Sequence, residues 1–134
     1  MYIAAQVGGA VVGVWAAHLM FELPLWQLSV TTRTGPGQWL AEAVATFGLL
    51  VTIFGCSART PAAVPYAVGL YITAAYWFTG STSFANPAVT IARALSDTFA
   101  GIAPPGVPAF IAAQLVGMLL AVLLGRWLWP AKSP

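Results

Sequence analysis

Charged residues are the scarcest feature of this sequence. Asp, Glu, Lys and Arg make up 6% of its 134 residues, against about 25% in an average soluble domain. A soluble globular protein is therefore excluded. Three acids and one histidine, spread far apart along the chain, supply neither a carboxylate pair nor a set of metal ligands, so no enzyme, metal or cofactor is expected. The single cysteine, Cys56, cannot form an intrachain disulfide. A net charge of +2 is too small to point to nucleic acid as a partner. Thirteen glycines and ten prolines, without a period, are too few for a collagen or a disordered linker. A central acid in a span, the mark of a proton- or ion-coupled transporter, is absent unless Glu42 is one.

What is present is apolar: 60% of the chain. Four long stretches carry almost no charge. Tyr2 to Phe21 holds His18 near its end, Gln38 to Gly55 holds Glu42, and Ala62 to Gly80 and Val107 to Gly125 hold none. Crossing the roughly 30 Å hydrocarbon core takes about 20 helical residues, so each stretch predicts a transmembrane helix. The connections Thr31–Gly37 and Cys56–Pro61 are polar and turn-forming, which places them in water or headgroups. Four spans put both termini on one side, with Arg59, Arg126 and Lys132 there and Arg33 opposite. The positive-inside rule makes that side, and the C-terminus, cytoplasmic. The first span begins directly after Met1 with no basic leader, which argues against a signal peptide and makes the start look cut.

Shifting the chain against itself by 108 residues lays Ile3-Ala4-Ala5-Gln6 on Ile111-Ala112-Ala113-Gln114. The same shift carries Ala5, Gly9, Gly13 and Ala17 onto Ala113, Gly117, Ala121 and Gly125, all small. Small residues every fourth position let helix backbones approach closely in lipid. Two spans lie between the copies, so the copies run in opposite directions across the membrane. Such an inverted repeat is typical of channels and transporters.

Between the last two spans, Asn86-Pro87 begins Ala88-Val89-Thr90-Ile91-Ala92-Arg93-Ala94-Leu95. Asn is a strong N-cap and Pro is favoured at the first helical position, so a helix starts here. Nine residues from Pro87 extend about 14 Å, half a bilayer. The segment is either a half-helix entering the membrane, tolerated where protein or a water-filled cavity satisfies its backbone, or a short interfacial helix after a surface loop.

The string Phe84-Ala85-Asn86-Pro87-Ala88-Val89-Thr90, with Ala41-Glu42-Ala43-Val44-Ala45-Thr46-Phe47-Gly48 before it and Ile111-Ala112-Ala113-Gln114 after it, resembles the aquaporin and aquaglyceroporin (major intrinsic protein) family. The resemblance implies an all-α membrane protein with an aquaporin-like fold: four transmembrane helices plus one re-entrant NPA half-helix. Residues 1–37 resemble the third span of a first half plus a connecting loop. Residues 38–134 resemble a complete second half. The implied function is passive passage of water or small neutral, glycerol-like solutes across the plasma membrane. The implied assembly in the bilayer is a homo-oligomer, a tetramer in the family. The other reading is a truncated, nonconducting fragment lacking the first NPA half.

By the same resemblance Asn86, Pro87 and Ala88 line the pore, the Asn86 amide donating to a passing solute. The positive end of the half-helix dipole would repel cations. Glu42 would support the loop that carries the half-helix. Gln6 and Gln114 read as interhelical or loop-supporting hydrogen bonders, and His18 as an interfacial side chain. One departure stands out: the family's second half places an arginine directly after NPA, and this chain has Val89 there, with Arg93 four residues later. A gapless alignment puts the remaining constriction positions at Ala74 and Ser83, which with Val89 imply a wide, weakly polar narrowing. Arg93 reads as either a headgroup contact or a pore residue.

Overall fold

The computed structural model describes residues 1–130, and every regular element in them is helical. Five α-helices follow in order: α1 (Tyr2–Met20), α2 (Pro36–Arg59), α3 (Val64–Phe78), α4 (Pro87–Arg93) and α5 (Val107–Leu128). Single turns of 3₁₀ helix at Pro61–Ala63 and Pro104–Gly106 lead into α3 and α5. Proline punctuates these starts. Pro36, Pro65, Pro87 and Pro108 each sit in the first turn of their helix, where the missing N–H has no intrahelical acceptor anyway. Ahead of α2, Gly35 takes φ +106°, a backbone state that costs glycine almost nothing.

Among the described residues, Tyr2–Met20, Pro36–Arg59 and Pro104–Leu128 are long and apolar enough to cross a membrane. The remaining long helix, α3, has 15 residues, about 22 Å, shorter than the stretch from Ala62 to Gly80. The turn at Pro61–Ala63 and the extended backbone from Thr79 take up the difference. The short helix α4 ends at Arg93, with Ala94 and Leu95 in a turn, so it is seven residues and about 10 Å long. Lys132, counted above for orientation, lies outside the described residues.

The tightest packing joins α2 to α5. A Cβ built on Gly117 would sit 2.2 Å from the carbonyl oxygen of Ala43, and one on Gly125 would sit 2.9 Å from the Phe54 ring. Ala121 between them is fully buried. This small-residue stripe on α5 is therefore the surface against which α2 lies. Its counterpart on α1 is open: a Cβ on Gly8, Gly9 or Gly13 meets nothing within 4 Å, and α1 touches the remainder of the molecule chiefly through α4. The repeated pattern is thus in use once. Beneath α4, Phe84, Ala94, Ile102 and Phe110 form the buried apolar core, with the Phe84 and Phe110 rings 5.4 Å apart.

The α1–α2 connection departs from the sequence reading. Arg33 does not sit in water or headgroups; it is 6% exposed. Its Nε donates to Gly101 O at 2.7 Å, Nη2 to Phe99 O at 2.7 Å and Nη1 to Ser81 O at 3.2 Å. A guanidinium offers five donors in a rigid fork, and here that fork ties three loops together. The same connection runs across the end of α4, with Ser29 N bonded to Ala94 O and Ala103 N to Thr31 O. Burial, and next the neighbouring Arg93 charge, pull the Arg33 pKa below its ordinary value, while Glu42 acts in the opposite sense.

Close helix contact at Gly117 and open space at Gly9 give opposite expectations for the same substitution. Gly117→Ala should lower the stability of the detergent-solubilised protein by about 1–3 kcal/mol, the usual cost of overpacking, read as the midpoint of an SDS titration followed by circular dichroism. Gly9→Ala should leave that midpoint unchanged or slightly higher. Equal effects at the two positions would contradict the described packing.

Candidate functional site

The site is built on three residues with constrained backbone. Thr82, Ser83 and Ala85 adopt φ of 63°, 51° and 52°, the left-handed region that a residue bearing a Cβ enters at a cost of about 1–3 kcal/mol. Phe84 lies among them, and Asn86 follows with extended backbone before α4. Strain of this kind persists where the surroundings over-determine it, and here the surroundings are one carboxylate. Glu42, on α2, is fully buried. Its Oε1 accepts from Ser81 Oγ at 2.7 Å and Phe84 N at 2.8 Å. Its Oε2 accepts from Ala85 N at 2.9 Å and Gln114 Nε2 at 2.8 Å. A carboxylate has about four acceptor positions, and four donors meet them.

Gln114, on α5, also donates to Thr90 Oγ1 at 2.8 Å, so one side chain links Glu42 to α4. Gln6, its counterpart in the repeat, makes no such bridge. Its Nε2 donates to Tyr2 Oη within α1, at an exposed position, which corrects the interhelical role read for it. Asn86 Oδ1 accepts from Ala88 N at 2.8 Å and caps α4. With the oxygen so engaged, the Nδ2 end of the amide is left for other acceptors.

Helix α4 separates two cavities. Asn86, Pro87 and Ala88 line one of about 640 Å³, together with Gln6, Thr46 and Gln114. Thr46 Oγ1 and Gln114 Oε1 are buried there without a hydrogen-bond partner. Val89 and Arg93 line the other, about 670 Å³, bounded across from them by Gly13 and Ala17 of α1. Ala74 and Ser83 line neither. Ala74 is exposed on α3, and Ser83 is buried in the strained loop with its hydroxyl unpaired. The structure therefore keeps Ala74 and Ser83 apart from the cavity that Val89 faces.

His18 departs from the interfacial reading as well. It is 2% exposed, with Nε2 3.0 Å from Ser96 Oγ and Nδ1 3.3 Å from the Leu25 carbonyl. It fastens the end of α1 to the loop after α4. Neither this burial nor that of Arg33 is marked by any local pattern, because Ser96 lies 78 residues from His18, and Gly101 lies 68 residues from Arg33.

Over 133 residues, 99% of its length, the chain is 54% identical to Aquaglyceroporin AqpS of Rhizobium meliloti (strain 1021). The chain is related to the aquaglyceroporins. It spans 57% of that relative's length. No family model matches, and no solved structure does. An aquaglyceroporin relationship and three helices of membrane-crossing length and composition make the chain an integral membrane protein with an all-α, aquaporin-like fold. Among the described residues no group of three or more His, Cys, Asp or Glu could hold a metal ion.

The Glu42 carboxylate is the acceptor for two backbone amides, so replacing one of its oxygens with an amide sets donor against donor. Glu42→Gln should destabilise the fold by about 2–5 kcal/mol, since each buried polar group left unpaired costs about 1–3 kcal/mol. It should also expose the 81–86 loop to limited proteolysis in detergent. An intact loop and an unchanged unfolding midpoint would show that these bonds do not hold it.

Proposed function

We propose that the chain forms part of a passive membrane channel for water and small neutral solutes of glycerol size. The observation that carries this reading is the Asn86 cap. Its Oδ1 is committed to Ala88 N, which leaves the amide donor at the wall of a cavity beside the start of α4. An uncommitted donor beside unpaired helical N–H groups and the positive end of a helix dipole favours a neutral oxygen-bearing solute and disfavours a cation. On this reading α1, α2, α3 and α5 cross the bilayer. Helix α4, held by Glu42, is a re-entrant half-helix, and residues 1–37 and 38–134 belong to two inverted halves.

Val89 is the small apolar residue directly after Asn86-Pro87-Ala88, and it supports a wide narrowing and a preference for solutes larger than water. Ala74 and Ser83, the other positions of the family pattern, are also short, but neither lines the cavity beside Val89, so the narrowing rests on Val89. The membrane is the plasma membrane, with the C-terminus cytoplasmic by the distribution of Arg33 against Arg59, Arg126 and Lys132. The assembly is a homo-oligomer, a tetramer by analogy with the family. The relative is named an aquaglyceroporin, and channel action needs no catalytic residue or cofactor.

A second reading is that the 134-residue chain does not conduct by itself. The open glycine face of α1 favours it, as does the single short helix beginning with Asn-Pro-Ala among the described residues. Stopped-flow light scattering on proteoliposomes separates the two. The channel reading expects water and glycerol permeabilities at least several-fold above those of empty vesicles, and equality with empty vesicles selects the second. In a conducting preparation Asn86→Asp should lower glycerol flux and raise cation leak by an order of magnitude, because it sets an acid at the dipole's positive end. Unchanged fluxes would remove Asn86 from the pore wall.

A further inference from the structure

The connection from α1 to α2 is built inside out. From Gln27 to Thr34 it has no helix, and its polar and apolar residues alternate. The polar ones turn inward. Ser29 and Arg33 are buried, while Gln27 and Thr31 grip the loop after α4: Gln27 Oε1 accepts from Asp97 N at 3.1 Å, and Thr31 Oγ1 donates to Thr98 O at 3.3 Å. Backbone bonds from Ser29 N to Ala94 O and from Ala103 N to Thr31 O fix the register. The apolar residues between them are left facing out, so that Trp26, Leu28 and Val30 are 74%, 65% and 75% exposed. No residue from Leu23 to Thr32 is charged. Against water this arrangement forfeits the burial of three large apolar side chains; against lipid it forfeits nothing.

The position of Trp26 identifies the apolar phase that covers this row. Its ring packs edge-on against Trp15, with the centroids 4.8 Å apart. Trp15 lies on α1 five residues before the helix end at Met20, about 7 Å along the axis, so the connection folds back beside the helix. The flank it meets lies away from the cavities, since Trp15 lines neither of the two beside α4. It carries Val12 and Leu19, both exposed. The shift of 108 residues lays Val12, Trp15 and Leu19 on Leu120, Leu123 and Trp127 of α5, which are exposed as well, while α5 turns Gly117, Ala121 and Gly125 to its neighbours. This flank is therefore the side that each helix presents to acyl chains, and the row of Trp26, Leu28 and Val30 continues it. Asp97 Oδ1, which accepts from Val30 N, keeps a carboxylate beside the row, and indole rings favour the boundary between tails and headgroups. Both set the depth at that boundary.

We propose that Trp26, Leu28 and Val30 form an interfacial anchor that docks the α1–α2 connection into the lipid bilayer. The proposal rests on the reading that α1 crosses the membrane, and the test separates the two. In a Cys56→Ser background, single cysteines replace Leu28, Val30, Thr34 and Val12, and each carries a nitroxide label in the whole chain reconstituted into phosphatidylcholine and phosphatidylglycerol vesicles. Collision with oxygen, which enters the hydrocarbon, and with a water-soluble nickel chelate is read by electron paramagnetic resonance. Val30 reads the same row should the Leu28 variant not fold.

Labels at Leu28 and Val30 should meet oxygen freely and meet the chelate at least about fivefold less often than the label at exposed Thr34, because a polar complex is excluded from the tail region. The label at Val12, on the same flank of α1, should be shielded from the chelate more fully still. Chelate access at Leu28 and Val30 equal to that at Thr34 would overturn the anchor. Low access to both reagents, or spin–spin broadening that fades when the protein is diluted in lipid, would also overturn it, because protein and not lipid would then cover the row. Chelate access at Val12 as well would remove α1 from the bilayer and both readings with it, whereas access at Leu28 and Val30 with Val12 shielded counts against the anchor alone.

Discussion

A carboxylate inside a membrane-crossing helix has no water to solvate it, and such a group is tolerated only where protein supplies donors. Glu42 is that group, and the neighbourhood of α4 is arranged around it. Two of its four partners are backbone amides in a loop with three left-handed residues, and the third is a serine hydroxyl at the head of that loop. The fourth, Gln114, passes the connection on to Thr90 inside α4. Remove the acceptor and the loop loses what offsets its strain. The orientation of Asn86, and with it the cavity wall it forms, depends on that loop.

The helices α2 and α5 can present Glu42 and Gln114 to one another because Gly117, Ala121 and Gly125 bring the two backbones close. Bulkier residues would hold Gln114 out of reach of the carboxylate. Packing and polar satisfaction are thus one requirement: the small-residue stripe sets the helix separation, and the separation closes the hydrogen-bond network. On α1 the stripe is present and the network is not, since Gln6 turns to its own helix and nothing approaches Gly9. Arg33 plays the complementary part on the other side of α4, with a buried cation whose partners are carbonyl oxygens.

Much of the architecture was legible in the sequence because it rests on local rules. Scarcity of charge marked the membrane helices, and Asn86-Pro87 marked the start of α4, since capping is decided within three residues. Helix ends were less legible: α4 stops at Arg93 rather than Leu95 because Ala94 turns to meet Ser29, a residue 65 positions earlier. Non-local contacts were not legible at all. Nothing around Arg33 or His18 distinguishes a buried polar residue from a solvated or interfacial one. The three short side chains assigned to a constriction came from counting along a family pattern. The geometry puts Val89 on a cavity with Arg93 and sets Ala74 and Ser83 elsewhere.

The spacing of the Glu42 partners also imposes an order in time. Ser81 follows Glu42 by 39 residues, Ala85 by 43 and Gln114 by 72. During synthesis the acid therefore leaves the ribosome well before any of its donors, and α2 is made as a helix with an unmatched carboxylate. Only when α5 emerges can the last donor arrive. Until then α2 in lipid carries the cost of an unmatched acid, about 2.5–3.5 kcal/mol at the centre of a span, which falls away once the later part of the chain supplies its donors.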